Sequence, residues 1–273
     1  MRQKNKFKLP FVYQLQENPF NPEGIPNTLD FEIENDKSIG LLTQKYSLET
    51  DKYLKEAYKL GSVIGGNTLE DEIGDNYTNG VLEYMDSVLQ WEDYAGKKFL
   101  EIGCGIGYLL SKIKNKKGEV LGVEPGKQGQ VGSKRFDFPV IQGFYPEVEI
   151  NGKFDVIISY CVLEHVSNPL SFLKELKPLL NPRGKIFAIV PNEKPYIKSG
   201  DISSLFHEHW SYFTEESLRN LIEKSLGTNI DIECSKYGGL LFSNFSFDED
   251  STALDEDFDV DNSYFTKFMV DFE

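Results

Sequence analysis

The chain is 273 residues long and carries a net charge of −15 at pH 7. That length suits one large domain or two small ones. An acidic balance of this size does not indicate a nucleic-acid binder, which usually presents a basic stripe. No stretch approaches the ~20 apolar residues that a membrane-spanning helix needs, so no membrane span is predicted.

Two features of the sequence indicate where the protein resides. The basic N-terminus is followed by an apolar run, residues 9–12, that is too short for a signal peptide. The three cysteines, Cys104, Cys161 and Cys234, are far apart and form neither a zinc-binding nor a disulfide pattern. We therefore expect a protein of the reducing cytoplasm.

The N-terminal part of the chain is predicted to lie outside the main fold. Residues 18–27 are rich in Pro and Asn and are typical of a loop. Leu54, Ala57 and Tyr58 have the spacing of a short helix. We predict that residues 1–75 form a partly irregular lead-in or lid.

The core, predicted over residues 76–247, alternates helices with strands. Apolar residues at helical spacing predict a first helix over 77–90. Strands are then predicted at 98–102, 119–123, 139–142, 154–160 and 185–190, and helices at 107–116, 127–135, 169–180 and 215–226. Two further β-like runs follow at 230–234 and 240–247. This alternation predicts an α/β fold with a parallel sheet covered by helices on both faces.

The core is followed by an acidic C-terminal tail, residues 248–273. This segment holds ten acidic residues and one Lys. Such a composition is typical of a solvated chain end rather than of a packed element.

The most distinctive motif lies between the first core strand and the next helix. Here Glu101 precedes Gly103, Gly105 and Gly107 in the pattern E-x-G-x-G-x-G. Glycine lets the backbone turn tightly and approach a ligand closely, and the helix that follows offers unpaired N–H groups at its start. The spacing differs from those of nicotinamide-binding and phosphate-binding loops. Glu101 would repel a pyrophosphate but attract an ammonium group.

This motif resembles the first motif of the class I S-adenosylmethionine-dependent methyltransferases. Glu124 follows at the end of the second strand, and the segments 153–160 and 183–190 resemble the fourth and fifth strands of that family. The resemblance covers roughly residues 77–227. It implies a Rossmann-like, doubly wound, mostly parallel seven-stranded sheet whose terminal hairpin is formed by residues 230–247. It also implies S-adenosylmethionine as the cofactor.

The same resemblance implies a set of cofactor-binding residues. Glu124 would hold the ribose, as an acidic residue does at this position in doubly wound nucleotide folds. Phe144 would lie beside the adenine, and Ser159 and Tyr160 would line the methionine side. Core packing is the alternative role for Phe144, and strand-end packing for the other two. The amino-acid end of the cofactor would meet Gly103, Cys104, Gly105 and Gly107, with Glu101 nearby.

The acceptor side is predicted from residues 206–214, F-H-E-H-W-S-Y-F-T. A His-x-His pair could bind a metal, but no third ligand is evident, so no metal site is predicted. The segment resembles that of the sugar C-methyltransferases that act on nucleotide-linked deoxysugars. By that resemblance His209 is the catalytic base and Glu208 lies beside it, while Phe206 replaces a Tyr of the family. His165, after the fourth strand, is expected to be structural or to line the cofactor pocket.

The chain departs from those sugar enzymes in two further respects. It has no Cys before Cys104, where they carry a cysteine-ligated zinc domain, and it ends at Glu273, where they continue into another domain. We expect methyl transfer to a small polar acceptor, with a sugar or a nucleotide sugar favoured. The alternatives are O- or N-methyl transfer to another small molecule or a protein, and a non-catalytic cofactor-binding protein of the same fold.

Overall fold

A computed structural model describes residues 6–10, 28–60 and 72–248 of the protein. Its strands belong to two sheets. In chain order the strands are β1 (Lys6–Pro10), β2 (Thr28–Asp36), β3 (Leu41–Gln44), β4 (Lys98–Ile102), β5 (Glu119–Glu124), β6 (Val140–Gln142), β7 (Phe154–Tyr160), β8 (Leu180–Pro191), β9 (Ser211–Tyr212), β10 (Gly227–Cys234) and β11 (Leu240–Phe247).

The helices lie between these strands. They are α1 (Leu48–Leu60), α2 (Glu72–Leu89), α3 (Tyr108–Asn115), α4 (Gln128–Phe136), α5 (Pro169–Leu176), α6 (Lys194–Ser199) and α7 (Glu215–Lys224), with short 3-10 turns at Leu163–His165, Lys177–Leu179 and Ile202–Ser204. No helix in the described ranges is long and apolar enough to cross a membrane.

The larger sheet has the strand order β10-β11-β8-β7-β4-β5-β6. Strands β8, β7, β4, β5 and β6 run parallel, while β11 pairs antiparallel with β8 and with β10. This is the Rossmann-like, mostly parallel seven-stranded sheet with a terminal hairpin that the sequence predicts, so the predicted fold class is confirmed.

Helices cover both faces of this sheet because successive strand residues point to opposite sides. Leu100 and Ile157 pack in one buried cluster with residues of α5 and α7. Phe99 and Ile158, their neighbours in sequence, pack in a second cluster with residues of α2 and α3. The core strands therefore read as continuous apolar runs, as strands buried on both faces do.

The observed bounds of two helices differ from the predicted ones. Helix α5 ends at Leu176 rather than at 180, because Pro178 lacks the N–H that would continue the helix. Helix α2 begins at Glu72, so it crosses the predicted domain boundary at 75/76. Helix α7 begins at Glu215, and the hydroxyl of its N-cap residue Thr214 accepts a hydrogen bond from the Ser217 N–H in a capping box.

The N-terminal segment is more regular than predicted. Strands β1, β2 and β3 form an antiparallel sheet that is completed by β9, in the order β1-β2-β3-β9. Phe31, Ile33 and Tyr212 lie in its buried cluster. The predicted helix around Leu54 is confirmed as α1. The fourth strand, β9, could not be predicted from local sequence because it comes from a distant part of the chain. The predicted tail lies outside the described residues except for its first residue.

Parallel topology places one crevice at the sheet's centre. Strand β4 continues to β5 on one side, whereas the chain later returns to pair β7 on the other side of β4. In doubly wound sheets, ligands bind at such a switch point, outside the carboxyl ends of the strands. The residues that follow β4 and β7 therefore define the candidate site.

Candidate functional site

The turn after β4 requires glycine. Gly103, Gly105 and Gly107 have φ values of +70°, +54° and +78°, in the left-handed region that glycine adopts without strain. A Cβ atom on Gly103 would collide with the side chain of Val162, and one on Gly107 would collide with the ring of Phe138. Both the backbone geometry and the available space exclude larger residues from this turn.

Glu124, at the end of β5, holds the glycine turn through its carboxylate. Its Oε2 accepts a hydrogen bond from the Gly105 N–H at 2.9 Å, and its Oε1 accepts from the Gly126 N–H at 2.7 Å and from Gln128 Nε2 at 2.9 Å. A carboxylate offers about four acceptor positions. One position therefore remains for a ligand hydroxyl, not the two that a full ribose diol would use.

Glu101 lies beside the turn in an unusual environment. It is buried, and its Oε2 has no hydrogen-bond partner among the described residues. Burial, reinforced by the nearby charge of Glu124, raises its pKa well above the ordinary value. A buried carboxylate without a partner is costly, and a cationic ligand would remove that cost. The arrangement fits the ammonium group that the sequence predicts here.

The other predicted cofactor residues differ in their surroundings. The Cys104 side chain packs in the core against Gly122, so this residue could meet a ligand only through its backbone. Ser159 is fully buried, and its Oγ has no partner in the described part of the chain. Tyr160 is half-buried against the α2–α3 cluster. Phe144 is half-buried and belongs to none of the core clusters, which disfavours a plain packing role.

On the acceptor side, residues 206–209 form a tight turn. The His209 N–H donates to the carbonyl oxygen of Phe206 at 3.1 Å. This turn sends the two histidines apart. The His207 ring contacts Phe31 of the N-terminal sheet at a centroid distance of 5.2 Å, whereas the His209 ring lies 4.0 Å from Phe206 and 4.9 Å from His165. His207 therefore belongs to the N-terminal packing and not to the site.

Helix α1 supplies the phenol that Phe206 lacks. The Tyr58 hydroxyl lies 3.0 Å from His165 Nδ1 and donates to Glu208 Oε2 at 3.3 Å. His165 Nδ1 also lies 2.9 Å from the carbonyl oxygen of Glu208. A carbonyl only accepts hydrogen bonds, so Nδ1 carries the hydrogen and Nε2 keeps its lone pair. Burial lowers the pKa of His165 to about 4, so the ring is neutral at pH 7.

A second carboxylate faces that lone pair. Glu164 is buried in the 3-10 turn after β7, with Oε1 3.8 Å from His165 Nε2. Glu164 Oε2 and His209 Nδ1 are buried without a hydrogen-bond partner within the described ranges. One nitrogen of each histidine and one oxygen of Glu164 lie within 4.8 Å of one another. Burial raises the pKa of Glu164 to about 8, and burial together with His165 lowers that of His209.

The residues that lie together on the acceptor side thus differ in part from those that the sequence predicts. Glu208 and His209 are present, but the side-chain hydrogen bond of Glu208 goes to Tyr58 rather than to His209. Burial raises the pKa of Glu208 to about 7. Tyr58 and Glu164 were not predicted, and they are connected by His165, which was expected to be structural or to line the cofactor pocket. One signal in the sequence could have identified Glu164: it is followed by a histidine, and the two lie shortly after a buried parallel strand.

Comparison with known proteins identifies the family. The family model described as "Methyltransferase domain" matches residues 81–226, more than half of the chain, so the chain belongs to that family. A curated relative, the ubiquinone biosynthesis O-methyltransferase of Acinetobacter baumannii (strain AYE), is 28% identical over 123 residues, which cover 39% of this chain and 51% of that protein. The chain therefore spans about half the length of the curated relatives it matches.

Solved structures support the fold. The PH0226 protein from Pyrococcus horikoshii OT3 superposes with a TM-score of 0.56 at 14% identity, covering 66% of this chain and 94% of that one. The DhpI-SAM-HEP complex superposes with a TM-score of 0.55 at 13% identity, covering 74% and 99%. At these identities the similarity shows a shared fold and not a shared acceptor.

Proposed function

We propose that this protein transfers a methyl group from S-adenosylmethionine to a small polar acceptor. The observation that carries the proposal is Glu101, a buried carboxylate whose Oε2 has no hydrogen-bond partner among the described residues, beside a glycine turn at the switch point of a methyltransferase fold. A cofactor with a cationic amino-acid end and a ribose suits the buried Glu101 carboxylate and the glycine turn beside it. The DhpI structure of the same fold is a complex with SAM.

The residues of this chain would hold the cofactor as follows. Glu101 would pair with its ammonium group, the glycine turn would meet its amino-acid end, and Glu124 would accept a hydrogen bond from one ribose hydroxyl through its remaining acceptor position. Phe144 would lie beside the adenine, and Ser159 and Tyr160 beside the methionine side. The bound cofactor supplies an activated methyl group, so the protein's task is to align an acceptor and take up its proton.

A sugar or a nucleotide sugar is the acceptor that we favour. Tyr58, Glu164, Glu208 and His209 gather hydroxyl, carboxylate and imidazole groups on the acceptor side, and such groups suit a ligand with several hydroxyls. The segment 206–214 resembles that of sugar methyltransferases. Transfer to an oxygen of another small molecule is the second candidate, because the curated relatives are O-methyltransferases.

The acceptor's proton would pass to the pair His209 and Glu208. His209 is neutral at pH 7 because its pKa is lowered, and its Nδ1 is free of hydrogen bonds to the described residues. Glu208 lies next to it in the same turn, oriented by Tyr58. The three free thiols, those of Cys104, Cys161 and Cys234, suit a reducing compartment, and we place the reaction in the cytoplasm.

Thermal unfolding with S-adenosylhomocysteine tests the cofactor part of the proposal. The ligand should raise the melting temperature of the wild type, because a ligand that binds only the folded state stabilises it. Gly105→Val should abolish the rise, since φ at this position is positive. Gly80→Ala is the matched control, because a Cβ there meets nothing within 4 Å. No rise in the wild type at millimolar ligand would contradict the proposal.

A methyl-transfer screen tests the acceptor part. Labelled S-adenosylmethionine is incubated with the wild type and a panel of nucleotide sugars, free sugars and phenols. Transfer to a sugar supports the favoured acceptor, and transfer only to phenols supports the second candidate. Cofactor binding without turnover on any member of the panel would instead support a non-catalytic binding protein.

A further inference from the structure

We infer that Glu164, His165 and His209 form a binding site for one divalent metal ion. The three residues come from two segments, the turn after β7 and the turn at 206–209, and the fold brings their donor atoms within 4.8 Å of one another. The sequence suggested only His207 and His209 as a metal pair, and the structure separates those two. The three-residue set is therefore a product of the tertiary structure.

The tautomer of His165 is the first argument for an ion. Its Nδ1–H is committed to the carbonyl oxygen of Glu208, so the lone pair of Nε2 points to the side where Glu164 lies. A histidine that binds a metal characteristically donates its other N–H to a carbonyl or carboxylate in this way. The Nε2 lone pair and an oxygen of the ionised Glu164 carboxylate are both acceptors, and a cation between them would satisfy both.

The second argument is that two buried polar atoms of the cluster have no hydrogen-bond partner among the described residues. Glu164 and His209 are 1% and 7% exposed, and Glu164 Oε2 and His209 Nδ1 have no hydrogen-bond partner within the described part of the chain. Buried polar atoms in native structures are nearly always hydrogen-bonded, and exceptions call for an ion or water. Two such atoms in one cluster of metal-binding side chains point to the same missing partner.

The spacing of the cluster requires only a small contraction. In a tetrahedral zinc site with bonds of about 2.0–2.1 Å, neighbouring ligand atoms are about 3.4 Å apart. The observed separations reach at most 4.8 Å, and that between Glu164 Oε1 and His165 Nε2 is 3.8 Å. Each donor atom would therefore move inward by less than about 1 Å. Two imidazoles and one carboxylate suit Zn²⁺, Fe²⁺ or Co²⁺ and leave positions open for a further ligand.

The surroundings add negative charge to this site. Glu193 lies close enough to Glu164 for its charge to affect that carboxyl, and its Oε2 is also without a partner in the described ranges. Cys161 hydrogen-bonds to Glu164. The site also adjoins the glycine turn, since a Cβ on Gly103 would strike Val162, two residues before Glu164. An ion here would lie between the turn and the acceptor residues.

The role that we assign to the ion rests on the proposed function, whereas the binding site itself does not. An acceptor hydroxyl bound to the ion would lose its proton more readily. With the ion bound, the proton would pass to Glu208 alone and not to the pair His209 and Glu208, because the ion would occupy the lone pair of His209. The oxygen then forms its bond to the methyl carbon while the carbon–sulfur bond of the cofactor breaks. The products are the methylated acceptor and S-adenosylhomocysteine.

Metal titration of the full chain tests the site. Protein stripped with a chelator is titrated with Zn²⁺ by calorimetry and with Co²⁺ by visible absorption. We expect one ion per chain, and we expect Glu164→Gln and His209→Ala each to weaken binding at least tenfold. His207→Gln is the matched control, because this neighbouring histidine faces the N-terminal sheet, and it should bind as the wild type does.

Two titration results would overturn the inference. One is that the wild type shows no saturable binding of Zn²⁺ or Co²⁺. The other is that Glu164→Gln or His209→Ala binds these ions with unchanged affinity. Should those variants fail to fold, X-ray absorption of the zinc-loaded wild type decides: two imidazole ligands are expected, and none would contradict the site. The melting shift with S-adenosylhomocysteine, measured on the same samples, separates this inference from the proposed function. A shift without metal binding refutes only the ion, and metal binding without a shift refutes only the cofactor.

Discussion

The two halves of the candidate site are built in different ways. The cofactor half uses Glu101, the glycine turn and Glu124, which lie within 24 residues of one another and are positioned by two adjacent parallel strands. The acceptor half uses Tyr58, Glu164 and His209, which come from three segments more than forty residues apart. The first half is fixed by local backbone geometry, and the second depends on how distant segments dock.

This difference is also electrostatic. In the cofactor half, Glu124 is satisfied by backbone N–H groups, whereas Glu101 Oε2 and Ser159 Oγ have no hydrogen-bond partner among the described residues. In the acceptor half, neutral histidines face buried carboxylates, and several atoms lack partners in the described part of the chain. On the proposed function, the cofactor half would therefore be organised before ligand binding, whereas the acceptor half would be completed by what it binds. Four predictions test whether the halves act separately.

The largest effect is expected for His209→Ala. Loss of a group that handles the acceptor's proton should lower the turnover rate by about 10²–10⁴-fold. The affinity for S-adenosylhomocysteine should stay unchanged, because the His209 ring contacts Phe206, His165 and Tyr212, which are not among the proposed cofactor residues. Steady-state kinetics with the true acceptor, together with calorimetry, measure both quantities. A loss of cofactor affinity would show that the halves are not separate.

Glu124→Ala should act on the other half. It removes a charged acceptor that holds the Gly105 and Gly126 N–H groups and that, on the proposed function, would also accept a hydrogen bond from a ribose hydroxyl. Hydrogen bonds to charged groups contribute about 1.5–3 kcal/mol, so cofactor affinity should fall by about 10- to 150-fold. Glu119→Ala, at the exposed start of the same strand, should bind normally. Equal affinities in the two variants would show that Glu124 is only a strand-end carboxylate.

Cofactor affinity should also depend on pH through Glu101. Burial and the charge of Glu124 raise its pKa above 4.5, so part of the free protein carries a neutral carboxyl in the pH range above 4.5. An ammonium ligand binds the ionised form, so affinity should rise with pH, by up to about tenfold per pH unit for one group. Glu101→Gln should abolish this dependence. The titrations are made below pH 7.5, where the ligand's amino group remains charged.

The smallest effect is expected for Tyr58→Phe. The substitution removes the hydroxyl that joins α1 to Glu208 and His165 but keeps the ring. A neutral hydrogen bond contributes about 0.5–1.5 kcal/mol, so turnover should fall by about 2- to 10-fold with cofactor affinity unchanged. Tyr46→Phe, an exposed tyrosine just before α1, is the control and should leave turnover unaffected. An equal loss in both variants would assign the effect to the packing of this region.

The sequence predicted what is encoded locally. Each core strand carries its own apolar run, and the glycine turn is contiguous, so strands β4 and β7 were placed at their observed bounds. Thr214 marks the start of α7 because its hydroxyl caps a helix in its own neighbourhood. Such features require no knowledge of which segments meet in space.

Two of the missed features, strand β9 and the partner of Tyr58, depend on pairing between distant segments. Strand β9 consists of Ser211 and Tyr212 and pairs with Leu42 and Thr43. Two residues are too few to show the alternation of apolar and polar side chains from which a strand is predicted. Tyr58 was assigned correctly to a helix, but its partner Glu208 lies 150 residues away. The arrangement of the acceptor half is set by this docking, so local patterns could not reveal it.

Titration calorimetry of S-adenosylhomocysteine tests the central claim most directly, with the wild type, Glu101→Ala and His209→Ala measured side by side. The cofactor is assigned to the half that contains Glu101. We therefore predict that the wild type and His209→Ala bind with the same affinity and that Glu101→Ala binds about 10- to 150-fold more weakly, because a charge-assisted pair is lost. No binding by the wild type, or equal binding by all three proteins, would contradict the assignment.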